Sequence, residues 1–177
     1  MIWITSDLHL NHDRPFIWQA RGFDSVYDMN DAIIRNWNSV VRPNDDVYVL
    51  GDLMLNNNDA IKIIKNLKGN IHIILGNHDT DERVRLYNSC WNVVEICYAT
   101  IIKYNGYHFY LSHYPTICSN HDDDKPLRKR IINLCGHTHT TDRFIDMDKG
   151  LIYHVELDAH DMKLVSIDEI IKDLESC

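Results

Sequence analysis

The chain has 177 residues, of which 45% are apolar and 25% charged, and its formal net charge is −8 at pH 7. This composition is typical of a globular protein, and a chain of about 150 residues can bury roughly 70% of its unfolded surface. We therefore expect a single domain over residues 1–177. The acidic balance disfavours duplex nucleic acid as a partner, and no apolar run reaches the ~20 residues of a membrane span.

The first half of the chain alternates short apolar runs with helical periodicities. The runs are rich in Ile, Val and Tyr, which is typical of buried strands. The predicted elements are strands at 1–6, 46–50 and 71–75 and helices at 26–41, 58–67 and 80–87. This order predicts parallel strands joined by right-handed crossovers. A polar loop is predicted over 7–22.

The second half is predicted to consist mostly of antiparallel strands. Asn105-Gly106 is a strong hairpin signal, and Ser166 and Glu169 have the spacing of a capping box. The predicted elements are a hairpin with strands at 100–104 and 107–112, a strand at 131–135, a second hairpin with strands at 143–147 and 151–156, and a helix at 166–175. We therefore expect an α/β fold of the αββα sandwich type with four layers, in which helices flank two mixed sheets.

Five of the apolar runs end in clusters of Asp, Asn and His: Asp7-Leu8-His9, Asp52, Asn77-His78-Asp79, His113 and His137-Thr138-His139. Residues at the carboxyl ends of strands line the crevice in which α/β sheets bind ligands. The clusters hold more donors than one metal ion needs. A mixed Asp, His and Asn set favours borderline transition metals over calcium, and without thiolates it disfavours structural zinc. The sequence therefore predicts a two-metal centre.

In this order the clusters resemble the motifs of the calcineurin-like metallophosphoesterases: D-x-H, G-D, G-N-H-D/E, H and G-H-x-H. The resemblance covers residues 1 to about 140. The short length and the segments 6–12, 21–23 and 37–41 resemble a small bacterial or phage-type branch without a large cap domain. The resemblance implies one metal held by Asp7, His9 and His139, a second held by Asn77, His113 and His137, and Asp52 shared between them.

The resemblance also implies that a hydroxide bridging the two metals attacks phosphorus in line, without a phospho-enzyme intermediate. His78 would not be a ligand and would donate a proton to the leaving oxygen as a general acid, although it is also compatible with a structural position at the rim. Asp79 would either orient the His78 ring or cap the helix that follows.

Other polar residues are weaker candidates. His12 and Arg21 would contact the substrate, Arg21 through a phosphate oxygen, or else be solvated or ion-paired loop residues. His108 is predicted to have a packing or surface role. A surface loop is predicted for 121–124, and the basic residues at 128–130 would attract an anionic substrate or balance that acidic run. Surface and turn roles are predicted for His154, Glu156, Asp158, His160 and Asp161.

The leading prediction is a dinuclear-metal-dependent phosphoesterase acting on a small phosphorylated substrate, and most simply a phosphodiesterase for small nucleotide-like esters. A phosphomonoesterase needs the same metal pair, and a nuclease is disfavoured by the acidic charge. A non-catalytic metal-binding scaffold is the alternative from another class. Two Mn²⁺ ions are the preferred cofactor, with Fe, Zn, Ni or Co as alternatives. Five cysteines without a CxxC pair, and an opening segment unlike a secretion signal, predict a cytoplasmic location.

Overall fold

The computed structural model describes residues 1–118 and 125–177, which form two β-sheets and five α-helices. In chain order the elements are β1 (Ile2–Thr5), α1 (Pro15–Trp18), α2 (Val26–Val40), β2 (Asp46–Leu50), α3 (Asn57–Ile64), β3 (Asn70–Ile74), α4 (Asp81–Tyr87), β4 (Val93–Cys97), β5 (Ala99–Tyr104), β6 (Tyr107–Ser112), β7 (Ile131–Cys135), β8 (Ile152–His154), β9 (Val165–Ser166) and α5 (Ile167–Glu175). Within the described ranges, each helix is too short or too polar to cross a bilayer.

The first sheet has the strand order β4-β3-β2-β1-β9. Its first four strands are parallel, and β9 is antiparallel to β1. Side chains alternate between the two faces: Val47 and Val49 pack in a core with residues of α2 and α3, whereas Leu50 packs towards the second sheet. Because both faces of this sheet are covered, its strands are nearly continuous apolar runs in the sequence.

The second sheet has the order β5-β6-β7-β8, in which β5 and β6 are antiparallel and the other pairs are parallel. Its inner face contributes Phe109 and Leu134 to a second core, which also includes Ile4 of β1. Helix α5 begins with the predicted capping box of Ser166 and Glu169 and adds its apolar side to the same core. The prediction of two mixed sheets flanked by helices is confirmed.

The predicted second hairpin is wrong. Residues 143–147 form successive turns, and β8 pairs with β7 in parallel. Backbone N–H groups in this segment bond locally: Phe144 donates to the Asp142 carboxylate (2.9 Å) and Met147 to the Phe144 carbonyl (3.0 Å). Such short-range bonds compete with strand pairing. The second half is therefore mixed and not mostly antiparallel as predicted: β6–β7 and β7–β8 are parallel pairs, whereas β5–β6 and β9–β1 are antiparallel. The sequence interpretation also omitted α1 and the edge strand β4.

Candidate metal centre

The five predicted clusters meet at one rim of the molecule, where β1, β2, β3, β6 and β7 end. Backbone hydrogen bonds join the loops that follow these strands: Asp7 N donates to Gly51 O, and His9 N donates to Asp52 O, both at 3.0 Å. The loop after β7 is joined to that after β6 in the same way, since Gly136 N donates to His113 O at 3.0 Å. Each sheet therefore contributes hydrogen-bonded loops to this rim.

The backbone at this rim is unusual. Five of the seven predicted ligands have a left-handed conformation: Asp7 (φ 54°), His9 (φ 49°), Asp52 (φ 55°), His137 (φ 75°) and His139 (φ 51°). Residues other than glycine rarely adopt this conformation, which costs of order 1 kcal/mol or more and is found preferentially at functional sites. The tight bends turn each side chain towards the space between the loops.

Two glycines allow the loops to approach closely. A Cβ atom at Gly136 would lie 2.0 Å from Ser6 Oγ and 2.3 Å from Asp7 Oδ2. At Gly76, a Cβ atom would lie 2.3 Å from Asp52 Oδ1. Glycine is thus a steric requirement before the loops that follow β3 and β7, which explains the strand–Gly–polar pattern of the sequence at these two positions.

The first group of donors consists of Asp7, His9 and His139. His9 Nε2 lies 3.0 Å from His139 Nε2, and Asp7 Oδ1 lies 3.8 Å and 3.6 Å from these two atoms, respectively. Asp7 Oδ2 accepts hydrogen bonds from Ser6 Oγ and His137 N, but Asp7 Oδ1 is buried and has no hydrogen-bond partner among the described residues. A buried, unpaired carboxylate oxygen costs free energy, and a cation would satisfy it. The group therefore fits a metal ion.

The second group contains Asn77, His113, His137 and Asp52. His113 Nε2 lies 2.9 Å from Asn77 Oδ1, 3.1 Å from His137 Nδ1 and 3.8 Å from Asp52 Oδ2. Asp52 Oδ2 is also 3.9 Å from His9 Nε2, so this oxygen lies between the two groups. Ligand atoms of Asp7, Asp52 and His113 lie within 4.8 Å of one another as well.

Hydrogen bonds from the far side of two rings determine which nitrogen faces the centre. His113 Nδ1 lies 2.8 Å from the Leu50 carbonyl. Because a carbonyl oxygen only accepts, Nδ1 carries the proton and Nε2 presents a lone pair to the second group. His139 Nδ1 likewise donates to Asp158 Oδ2 at 2.9 Å. Such partners orient a metal-binding ring and increase its basicity.

Burial also shifts the ionisation of the donors. It raises the pKa of Asp7 to about 6, and together with the charges of neighbouring His and Arg residues it lowers the pKa of His9 to about 2. Burial lowers the pKa of His139, but the hydrogen bond to Asp158 and the charge of Asp7 outweigh it, so the pKa is raised overall. His9 is therefore neutral at pH 7 and has the protonation state that a metal ligand needs.

Arg21 and Asp158 support the first group from behind. Asp158 accepts from Arg21 Nε (2.9 Å) and Arg21 Nη2 (2.8 Å), and Arg21 also donates to the carbonyls of Asp7 and Leu8. The Arg21 side chain is only 3% exposed. These contacts favour the ion-paired alternative for Arg21 over contact with a phosphate oxygen. Hydrogen bonds from His139 and Arg21 outweigh the effect of burial and hold the pKa of Asp158 well below its usual range.

The predicted surface and turn role of Asp158 is wrong. No local spacing could have identified this residue, because it follows the last motif by 19 positions and reaches His139 only through the folding of the chain. We expect Asp158→Asn to weaken metal binding by about 10- to 100-fold, the usual effect of losing such a partner. Metal titration followed by calorimetry measures this, with the exposed Asp161→Asn as control. Unchanged affinity in a folded Asp158→Asn protein would contradict the assignment.

A surface role is also wrong for His154 and Glu156, which are completely buried. Glu156 Oε1 accepts hydrogen bonds from Thr138 Oγ1 (3.0 Å), Thr140 N (3.3 Å) and His154 Nδ1 (3.2 Å). The pair thus holds the loop that carries His137 and His139. His160 is half-buried and donates to the His154 carbonyl, whereas the exposed Asp161 lies in a left-handed turn as predicted.

Asp79 has a different role from either predicted one. Its Oδ2 accepts from Asp52 N (2.9 Å) and Gly76 N (2.8 Å), and its Oδ1 accepts from the Tyr87 hydroxyl (2.7 Å). Among the described hydrogen bonds, the Asp79 carboxylate accepts none from the His78 ring or from the first turn of α4, whose N-cap is Thr80. The predictions that Asp79 orients His78 or caps α4 were wrong because the loops after β2 and β3 converge on this carboxylate, and their backbone N–H groups donate hydrogen bonds to it.

His78 lies at the open edge of the centre. Its side chain is 42% exposed, its Nε2 lies 3.9 Å from Asp52 Oδ2, and its backbone N–H donates to Asp52 Oδ1 at 2.9 Å. His12 is half-buried beside it, with Nδ1 3.3 Å from His9 Nδ1. Burial, followed by nearby positive charges, lowers the pKa of His12. Both rings are accessible to a bound substrate.

The remaining candidates lie on the outside of the second sheet or beyond the described residues. His108 is half-buried on β6, as expected for a packing or surface residue. Of the three basic residues at 128–130, Arg128 lies over the Tyr107 ring, with its guanidinium carbon 5.2 Å from the ring centroid. Its Nη2 atom also lies 3.9 Å from Glu175 Oε1. The cluster at 121–124 lies outside the described residues.

Comparison with known proteins identifies the class. Residues 1–155 match the family model described as the calcineurin-like phosphoesterase superfamily domain, and the chain belongs to this superfamily. It is a metal-dependent phosphoesterase of a family that requires divalent metals.

Relatives of similar length extend this result. An uncharacterized protein of Methanocaldococcus jannaschii is 35% identical over 182 residues, which cover 98% of this chain and 91% of that protein. The gene 66 protein of Mycobacterium phage L5 is 30% identical over 191 residues, covering 95% and 91%. The structure is similar to that of a protein of unknown function from Aquifex aeolicus, with a TM-score of 0.75, 25% identity and 97% and 98% of the two chains covered.

Proposed function

We propose that this phosphoesterase uses two divalent metal ions to hydrolyse small phosphodiesters of the nucleotide type. The observation that carries the proposal is the position of Asp52 Oδ2, which lies 3.9 Å from His9 Nε2 in one donor group and 3.8 Å from His113 Nε2 in the other. A carboxylate that lies between two groups of metal-binding atoms is suited to be a ligand of both ions. Asp7, His9 and His139 would hold one ion, and Asn77, His113 and His137 the other.

When bound, two such ions would activate water and neutralise charge on the phosphoryl oxygens. The protein's own residues contribute the geometry and one proton. Asp79 and Glu156 fix the loops that carry the ligands through hydrogen bonds to Asp52 N and to Thr138. His78, exposed beside Asp52, is placed to donate a proton to the oxygen of the departing ester.

The donor set supports the choice of metal, and the charge of the protein supports the substrate class. Imidazole, carboxylate and amide donors suit Mn²⁺, and also Fe, Zn, Ni or Co. A net charge of −8 opposes the binding of long polyanions, so we propose a small phosphorylated substrate and no duplex nucleic acid or membrane as partner. The cytoplasmic location and the single-domain organisation stay predictions.

Hydrolysis of two chromogenic esters tests the proposal. We expect the Mn²⁺-loaded protein to hydrolyse bis-p-nitrophenyl phosphate faster than p-nitrophenyl phosphate, with two ions per chain measured by elemental analysis. Faster hydrolysis of the monoester would favour the phosphomonoesterase alternative. Two bound ions without turnover of either ester would favour the non-catalytic scaffold, and a single bound ion would contradict the dinuclear centre.

A further inference from the structure

A cleft of about 600 Å³ opens directly beside the first donor group. It is lined by His9, His78 and His139 of the rim and by Phe16 and Ile17 of α1. Sites for small ligands typically have volumes of about 300–1,000 Å³. The cleft therefore has room for a chemical group attached to the phosphate that reacts at the metal centre.

Phe16 is an exposed aromatic residue of this cleft. The residue is 69% exposed, although its ring lies beside a cluster of imidazoles. The Phe16 ring makes an edge-on contact with the His12 ring, with centroids 5.7 Å apart and an interplanar angle of 84°. A single exposed aromatic residue is unremarkable in itself, but this one shares a cleft with the proposed acid and with a metal ligand. A planar group entering the cleft would cover apolar surface that is otherwise in contact with water.

We propose that this cleft binds the nucleobase of a nucleotide phosphodiester and that Phe16 is the residue on which the base stacks. A base has an apolar face and polar edges, and the cleft has the matching surfaces. Phe16, Ile17 and Ala20 supply apolar contact, while His12 and the exposed Thr141 supply hydrogen-bonding groups. An acyl chain would need an apolar lining on all sides. This inference rests on the proposed phosphodiesterase function and adds a specificity site to it.

Two esters with the same leaving group test the assignment: thymidine 5′-(p-nitrophenyl phosphate) and methyl p-nitrophenyl phosphate. We expect the Mn²⁺-loaded protein to prefer the thymidine ester. Phe16→Ala should lower kcat/KM for the thymidine ester about tenfold, in the range seen when a stacking aromatic is removed, with a smaller loss for the methyl ester. Phe16→Tyr should preserve the preference, and Phe16→Leu should not, since leucine lacks an aromatic face.

Trp91→Ala is the matched control, because Trp91 is 75% exposed and precedes β4 at the opposite end of the sheet. Calorimetric binding of thymidine 5′-monophosphate to the wild-type and Phe16→Ala proteins provides a readout that needs no turnover. An equal loss for both esters, a full preference in Phe16→Leu, or unchanged thymidine 5′-monophosphate affinity in Phe16→Ala would overturn the assignment. If neither ester is hydrolysed but the nucleotide binds through Phe16, the proposed function fails while the base site stands.

Discussion

Asp52→Asn is expected to lose at least one of the two metal ions and to hydrolyse bis-p-nitrophenyl phosphate on the order of 10²–10³-fold more slowly than the wild type. Asp52 Oδ2 lies almost equally far from His9 Nε2 and His113 Nε2. An amide has the same size as the carboxylate but no charge to share between two cations, and only one of its two polar atoms can bind a metal. Elemental analysis and kcat/KM with added Mn²⁺ measure the two effects.

The chain offers a closely matched control for this substitution. Asp161 is exposed and also has a left-handed backbone, with φ 51° against 55° for Asp52. Asp161→Asn therefore makes the same chemical change in the same backbone conformation, and we expect metal content and activity close to wild type. Two bound ions and full activity in Asp52→Asn would show that this carboxylate is not the shared ligand.

His78→Ala is expected to lower kcat by about 10²-fold or more, in the range for removal of a general acid, while both metal ions remain bound. The ring is exposed beside Asp52 and belongs to neither group of converging donors. The effect should be greater for a diester with a phenol leaving group than for one with p-nitrophenol, because a poorer leaving group depends more on protonation.

His72→Ala is the control for this second substitution. His72 lies on β3 and pairs with Glu95 at 2.8 Å and Asp46 at 3.3 Å. We expect its replacement to leave kcat and its dependence on the leaving group close to wild type. Loss of a metal ion from His78→Ala would show that His78 is a ligand, and an equal loss of rate for both leaving groups would argue against proton donation.

The convergence of the candidate donors at one rim could be predicted from the sequence because its signals are local. Each candidate ligand follows a short apolar run, and glycines such as Gly76 and Gly136 mark the close approach of the loops. The same local signals identified the hairpin at Asn105-Gly106 and the capping box at Ser166. The parallel strands of the first half followed from the alternation of strands and helices.

What the sequence could not predict depends on contacts between distant segments. Asp158 and Glu156 lie after the last motif and belong to no recognisable sequence pattern. They nevertheless accept hydrogen bonds from His139 and Thr138, respectively, and so hold these residues in place. Asp79 received the wrong role because the backbone N–H groups it accepts from belong to two different loops. The segment 143–147 precedes Asp148-Lys149-Gly150, which is typical of a hairpin turn, and its local hydrogen bonds could not be predicted from this pattern.

The left-handed backbone at five predicted ligand positions has a consequence for how the protein is made. The chain bends in the left-handed conformation at five residues that are not glycine: Asp7, His9, Asp52, His137 and His139. The surrounding core, and any ion that binds these side chains, must stabilise this conformation. A ligand that binds only the folded state stabilises that state by mass action. Metal supply during synthesis would then influence how much folded enzyme accumulates as well as how fast it works. A cell short of the metal would hold fewer enzyme molecules, and not only slower ones.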